Sequence, residues 1–203
     1  EDEIRNLSWN PKEQYFGNFN LSWRNKNLLL RYNFEIFDEE IRNLGRVDSL
    51  NPIIQTQPSG GAIAYPKALD NYFFTRRTNN TIFADYFIGN GKNIQAYAAY
   101  NFYERKFLTY NKNLSTGREI LLPGEDNQDT SFFDLINSRI IYNHSLIPDR
   151  LSFRTGIEIS RETGGGERID EAQADVRDYA VFGSLEYNVT PSLKIKPGLR
   201  YAE

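Results

Sequence analysis

Residues 15–36 read YFGNFNLSWRNKNLLLRYNFEI, two alternating runs on either side of the polar triplet at 25–27. In the first run, every second residue belongs to one face, made of Tyr15, Gly17, Phe19, Leu21 and Trp23. Successive side chains of a β-strand point to opposite faces, so this period of two predicts two strands. The short polar joint between them predicts a hairpin.

The same unit recurs along the whole chain. The sequence predicts strands at 14–24, 28–38, 77–88, 93–107, 132–146, 151–162, 177–189 and 193–202. Short turns join these strands in pairs, whereas long polar loops at 39–76, 108–131 and 163–176 separate the pairs. Short turns at one end and long loops at the other are typical of a transmembrane β-barrel. We therefore predict that 1–203 is a single all-β segment, an antiparallel up-and-down meander of about eight long strands from a large transmembrane β-barrel.

Composition narrows the range of functions. The 203 residues include 24 lysines and arginines against 27 acidic residues. The chain therefore lacks the excess of positive charge that would indicate nucleic-acid binding. With no cysteine and one histidine, the chain has no thiolate or multi-histidine metal site, and we expect no cofactor. No run approaches the roughly 20 apolar residues of a membrane helix. Because methionine is absent, we expect a processed chain or part of a longer one, with any signal peptide removed.

The polar faces of the predicted strands carry charges, which are Arg31, Glu35, Arg154, Glu158, Glu186, Lys194, Lys196 and Arg200. In a membrane barrel these side chains line the lumen. In a soluble β-barrel or β-sandwich that binds carbohydrate or lipid, the pattern is inverted, with an apolar interior of Leu30, Phe34, Phe153, Ile157 and Leu199. Strands of ten or more residues match the roughly 9–11 that cross a bilayer, which favours the membrane barrel.

Three stretches carry a resemblance to a known family, and one of them is the opening hairpin at 17–32, which has the same style as the other two. Residues 181–201 read VFGSLEYNVTPSLKIKPGLRY, and residues 147–159 read IPDRLSFRTGIEI. Both resemble barrel hairpins of the TonB-dependent outer-membrane receptors, in which similar strands recur after short periplasmic turns. The resemblance implies a location in the outer membrane of a Gram-negative bacterium, within a barrel of about 22 strands. Neither the plug domain of that family nor its TonB-contacting segment is visible in this sequence.

The resemblance also implies a function and partners. Receptors of this family bind a scarce nutrient, such as a metal–siderophore, and import it without catalysing a chemical step. The implied partners are outer-membrane lipid, a nutrient ligand at the long loops, and TonB through the plug domain. By the same resemblance, the wall residues Arg31 and Arg154 are candidates for contact with the ligand or the plug.

The first long loop contains further candidates for ligand binding. Tyr72, Phe73 and Phe74 lie close to Arg76 and Arg77. Aromatic rings beside two arginines suit an anionic aromatic ligand such as a metal–siderophore. The same residues also suit an aromatic girdle at the membrane interface followed by lipopolysaccharide-binding arginines. The candidate ligand residues in this region are Tyr72, Phe73, Arg76 and Arg77.

Metal binding and catalysis have weaker candidates. Acidic residues in the second and third loops offer oxygen ligands for Ca²⁺ without EF-hand spacing, namely Glu125, Asp126, Asp129, Glu167, Asp170, Glu171 and Asp175. We expect them to be solvated. His144, near Ser145 and Asp149, has the chemistry of a general base, but it lies beside a short turn. We expect an ordinary strand-end histidine and no enzyme activity.

Overall fold

The computed structural model describes residues 5, 10–124, 127–166 and 173–203. They form a single antiparallel sheet that runs up and down in chain order. The strands are β1 Lys12–Arg24, β2 Leu28–Asn43, β3 Val47–Thr56, β4 Ala62–Gly89, β5 Lys92–Asn113, β6 Glu119–Leu121, β7 Gln128–Ile147, β8 Leu151–Gly166, β9 Ala174–Thr190, β10 Leu193–Ile195 and β11 Gly198–Ala202. The described residues include no helix long and apolar enough to cross a membrane.

The order of the strands in the sheet is β1-β2-β4-β5-β7-β8-β9-β10, and β11 continues beside β9 after β10. The two remaining strands lengthen this sheet, β3 by pairing with β4 and β6 by pairing with β5. The predicted all-β antiparallel meander is therefore confirmed. Over the described residues the sheet is open, with β1 at one edge and β10 and β11 at the other.

Short turns lie at one end of the sheet, which we call the short-turn end. The β4–β5 turn has Asn90 and Gly91 with positive φ angles of 51° and 70°, a backbone that suits a two-residue hairpin. In the β1–β2 turn, the Asn25 side chain accepts hydrogen bonds from the backbone N–H groups of Asn27 and Leu28. These turns lie where the sequence predicts them.

The predicted loop boundaries are wrong, because strands extend far into all three long connections. Within the predicted loop 39–76, residues 39–43, 47–56 and 62–76 are in β2, β3 and β4. Alternation is weak there, since neither face is uniformly apolar. Backbone pairing between long neighbouring strands continues the ladder without a hydrophobic pattern. Also contrary to prediction, strand 193–202 is interrupted between Ile195 and Gly198. We call this opposite end of the sheet the long-connection end.

The two faces of the sheet differ sharply. One hydrogen-bonded row crosses all eight columns of the sheet and is apolar throughout, in the order Trp23, Leu30, Ala84, Ala96, Ile140, Ile157, Val181 and Tyr201. The adjacent row points to the other side and contains Arg31, Phe83, Tyr97, Arg139, Glu158 and Ala180. We call these two sides the apolar face and the polar face.

Over the part of the chain that the structure describes, the sheet is a single layer without an enclosed core. Among the described residues, the buried apolar ones are only Ala68, Ala99 and Ala180. Ile157 and Leu199, expected inside a soluble module, are 47% and 87% exposed. An apolar surface of this extent on a folded protein indicates a surface that is covered by something else.

Candidate functional site

The apolar face forms a band of nearly constant width. It runs over residues 15–23 in β1, 94–102 in β5, 136–146 in β7 and 179–189 in β9, counting every second residue. These segments are nine to eleven residues long, which is about the length of a tilted strand that crosses a bilayer. We call this surface the apolar band.

The band shifts relative to the hydrogen-bond register between β1 and β2 and between β7 and β8, whereas between β8 and β9 Ile159 pairs with Tyr179 without a shift. The top of the band in β1, Tyr15, pairs with Asp38, whereas the band in β2 begins two residues lower at Ile36. Likewise Ile136 in β7 pairs with Arg161, and the band in β8 begins at Ile159. Both shifts are toward the short-turn end. A band that is level in a membrane shifts in this way when the strands are tilted, as barrel closure requires.

A belt of ion pairs borders the band at the long-connection end, on the apolar face. Arg76 contacts Asp38 at 2.9 Å, and Asp175 contacts Arg161 at 2.7 Å and Arg177 at 3.2 Å. Hydrogen bonds from these two arginines lower the pKa of Asp175 to about 2. Each of these three arginines contacts a carboxylate, and Arg161 and Arg177 share that of Asp175.

Aromatic rings lie beside this belt on the same face of the sheet. The Tyr72 ring lies 5.1 Å from the Tyr110 ring and 6.5 Å from Phe74, measured between centroids. Tyr72 and Arg76 therefore occupy the place that an interfacial girdle would take.

The polar face holds a different group of side chains at the same end. We call it the aromatic–arginine cluster, and its members are Phe73, Arg77, Tyr103, Arg105, Phe107 and Phe133. They come from three neighbouring strands, β4, β5 and β7, and lie in adjacent rows of the sheet. The Phe73 and Phe107 rings are 4.9 Å apart, and the Tyr103 and Phe133 rings 6.1 Å apart.

The two arginines of the cluster lie against its rings. The guanidinium carbon of Arg77 is 5.7 Å from the centre of the Tyr103 ring, and that of Arg105 is 5.5 Å from the centre of Phe73. Among the described residues, neither arginine forms an ion pair with a carboxylate. Glu35, one strand from Arg77, instead accepts hydrogen bonds from Asn79 and Asn33. A stacked guanidinium keeps its N–H edge free for a carboxylate or phosphate, which it binds in a bidentate geometry.

No family model matches the chain, and no curated protein or solved structure shows significant similarity to it.

The structure divides the predicted ligand residues between the two faces. Tyr72, Phe73, Arg76 and Arg77 lie within β4 rather than in a loop, so neighbouring residues point in opposite directions. Phe73 and Arg77 join the aromatic–arginine cluster, whereas Tyr72 and Arg76 lie on the apolar face. The four residues therefore do not form one ligand-binding site.

The two predicted wall residues lie on the polar face, away from the cluster. Arg31 lies in the row of Phe83 and Tyr97. Arg154 lies near the short-turn end, where its Nε donates to Asn143 at 2.8 Å. It borders a hollow of about 220 Å³ whose other polar walls include Ser152, Ser184, Glu186 and Lys196.

Sequence reasoning missed Tyr103, Arg105, Phe107 and Phe133. A signal existed in the second face of strand 93–107, where Tyr97, Ala99 and Tyr103 interrupt an otherwise polar pattern and Tyr103 is followed by Arg105. It was not decisive, because the partners of these residues across the sheet are known only once the register is known.

The metal and catalytic candidates are only partly within the described residues. Glu125, Asp126, Glu167, Asp170 and Glu171 lie outside them. Within the described part, no group of three or more histidine, cysteine or acidic side chains is placed to hold a metal ion. Asp175 is bound by its two arginines, and Asp129 is buried.

His144 lies on the apolar face. Its ring is 5.6 Å from the Phe153 ring and 6.1 Å from the Tyr142 ring. Ser145, the next residue in the strand, points to the other face, and Asp149 belongs to the adjoining turn. The three residues are therefore not arranged as a catalytic group.

Proposed function

We propose that this chain is part of the β-barrel of a TonB-dependent outer-membrane transport receptor, which binds and imports a scarce nutrient such as a metal–siderophore. The observation that carries the proposal is the row of eight apolar residues from Trp23 to Tyr201, which crosses the whole sheet and is exposed on one side. Hydrocarbon is the solvent that such a continuous band requires.

The polar face supports the same proposal. Behind the apolar band, Glu158 contacts Arg139 at 2.6 Å and Arg200 at 3.2 Å, and Glu186 contacts Lys194 at 2.6 Å. An arginine or lysine facing lipid at the bilayer midplane costs about 2–4 kcal/mol, so these charges belong in a wet lumen. The free edges of β1 and β11 are then the places where further barrel strands pair.

The soluble alternative is less well supported. A carbohydrate- or lipid-binding sandwich needs a second layer that packs against Leu30, Ile157 and Leu199. Over the described residues, packing is between neighbouring strands of one sheet, and these side chains remain exposed.

A pair of adjacent residues tests the proposal. The chain has no cysteine, so Ile159→Cys and Ser160→Cys each introduce one labelling site, the first on the apolar face and the second on the polar face. We expect a fluorescent label at 159 in reconstituted liposomes to be quenched by brominated lipid tails, and the label at 160 to be quenched little. Equal quenching at both sites, or none at 159, would contradict a lipid-facing apolar band.

A further inference from the structure

We propose that the aromatic–arginine cluster binds the ligand directly, and that the ligand carries an anionic group on a flat aromatic ring. The inference rests on the proposed function in one respect, which is the assignment of the polar face to the lumen of a receptor.

The two arginines of the cluster lie against aromatic rings and not against carboxylates. Arg77 and Arg105 are held over Tyr103 and Phe73, and no carboxylate of the described residues forms an ion pair with either of them. Other arginines of the same sheet do form ion pairs. Arg139 and Arg200 both contact Glu158, and Arg76 contacts Asp38. Two guanidinium groups in adjacent rows that form no ion pair within the described part of the chain make a preorganised receptor for an anion.

Aromatic side chains surround the two arginines. Phe107 lies against Phe73, and Phe133 lies beside Tyr103 with 42% of its surface exposed. Exposed ring surface next to a guanidinium favours a flat ring, which stacks offset or edge to face on the aromatic side chains. An aliphatic anion engages only the arginines, whereas an uncharged ring engages only the aromatic residues.

The cluster lies at the long-connection end of the polar face. Arg77 pairs with Phe37, which lies between Ile36 at the top of the apolar band and Asp38 in the belt of ion pairs. The cluster thus lies at the level where the band ends and continues toward the long-connection end. In a barrel this is the mouth of the lumen, where a ligand arriving between the long connections meets the wall.

Adjacent residues again supply a matched control. Arg77→Gln and Arg105→Gln each remove one guanidinium group from the cluster. Arg76→Gln removes a neighbouring arginine from the opposite face, and it carries the same change of charge. The probes are salicylate, benzyl alcohol as an uncharged ring, and hexanoate as an anion without a ring, titrated into the folded chain in detergent micelles by calorimetry.

We expect salicylate to bind more tightly than either other probe. Because a lost charge-assisted hydrogen bond weakens binding by about tenfold or more, Arg77→Gln and Arg105→Gln should each raise its dissociation constant by that factor. Arg76→Gln should leave binding unchanged. The inference is overturned if Arg77→Gln and Arg105→Gln bind salicylate as the unsubstituted chain does, or if hexanoate binds equally well. It is also overturned if no saturable binding occurs up to about 10 mM salicylate, beyond the millimolar range of weak ligands.

The cysteine pair distinguishes a failure of this inference from a failure of the proposed function. Quenching at 159 and not at 160, together with salicylate binding indifferent to Arg77 and Arg105, would retain the membrane barrel and remove the cluster as its ligand site. Arginine-dependent binding without lipid quenching at 159 would retain the cluster and remove the barrel.

Discussion

Replacing Ile140 with arginine is expected to destabilise the membrane-inserted chain by about 2–4 kcal/mol, the cost of an arginine facing lipid near the bilayer midplane. Ile140 lies near the middle of the apolar band of β7, between Ala96 and Ile157 on the neighbouring strands. Its side chain is exposed, so the substitution creates no cavity and removes little packing. The change in free energy therefore reports the solvent that this face meets.

The measurement is the midpoint of urea-induced unfolding from liposomes. Asn137→Arg in the same strand is the matched control, because Asn137 faces the polar side between the small residues Ala99 and Ser160. The new arginine there meets a polar lumen and has room, so we expect a change below about 0.5 kcal/mol, as for substitutions away from packed features. If both variants unfold at the same urea concentration, the two faces meet the same solvent, contrary to the membrane orientation.

Asp70→Asn is expected to cost about 3–5 kcal/mol, the typical penalty for breaking a buried ion pair by removing one partner. Asp70 is fully buried and Arg5 is 8% exposed, and two hydrogen bonds of 2.6 and 3.0 Å join them. The same carboxylate accepts the backbone N–H of Gly45 at 3.0 Å. The pair thus attaches Arg5, seven residues before β1, to the sheet at the long-connection end.

Asp38→Asn is the control for this second prediction, since it breaks the exposed pair with Arg76, whose side chains are 37% and 56% exposed. Exposed pairs contribute about 0–1 kcal/mol. Unfolding of Asp70→Asn, Arg5→Gln and the double variant in urea gives the coupling energy, which we expect to be large. A loss for Asp70→Asn no greater than that for Asp38→Asn would show that the buried pair does not stabilise the fold.

Much of the fold was predictable because it depends on local alternation. The strands that contain Phe19, Phe34, Phe153 and Leu185 have a clear period of two on one face, and they lie where that pattern places them. The strands beyond the apolar band were not predictable in the same way. In β3 and the first half of β4, backbone hydrogen bonds maintain the ladder, and such bonds leave no mark on the sequence of side chains.

The candidate site, too, was predictable from the sequence only in part. Phe73 and Arg77 were predicted from their composition, but as parts of a loop that also included Tyr72 and Arg76. Once β4 is known to extend through them, alternation separates the two pairs without further information. Tyr103 and Arg105 enter the site only through the pairing of β4 with β5, which sets the rows in which they meet.

The sequence by itself determined the all-β meander, the pairing of strands into hairpins and the separation of an apolar from a polar face, since each depends on side chains within about ten residues of one another. The tertiary structure decided which side chains of different hairpins share a row. It thereby produced the continuous apolar band and the aromatic–arginine cluster. No short turn fixes the register between hairpins, which depends on how whole strands match their apolar faces. Residues far apart in sequence, such as Arg77 and Phe133, therefore come to share a row only when the sheet is assembled.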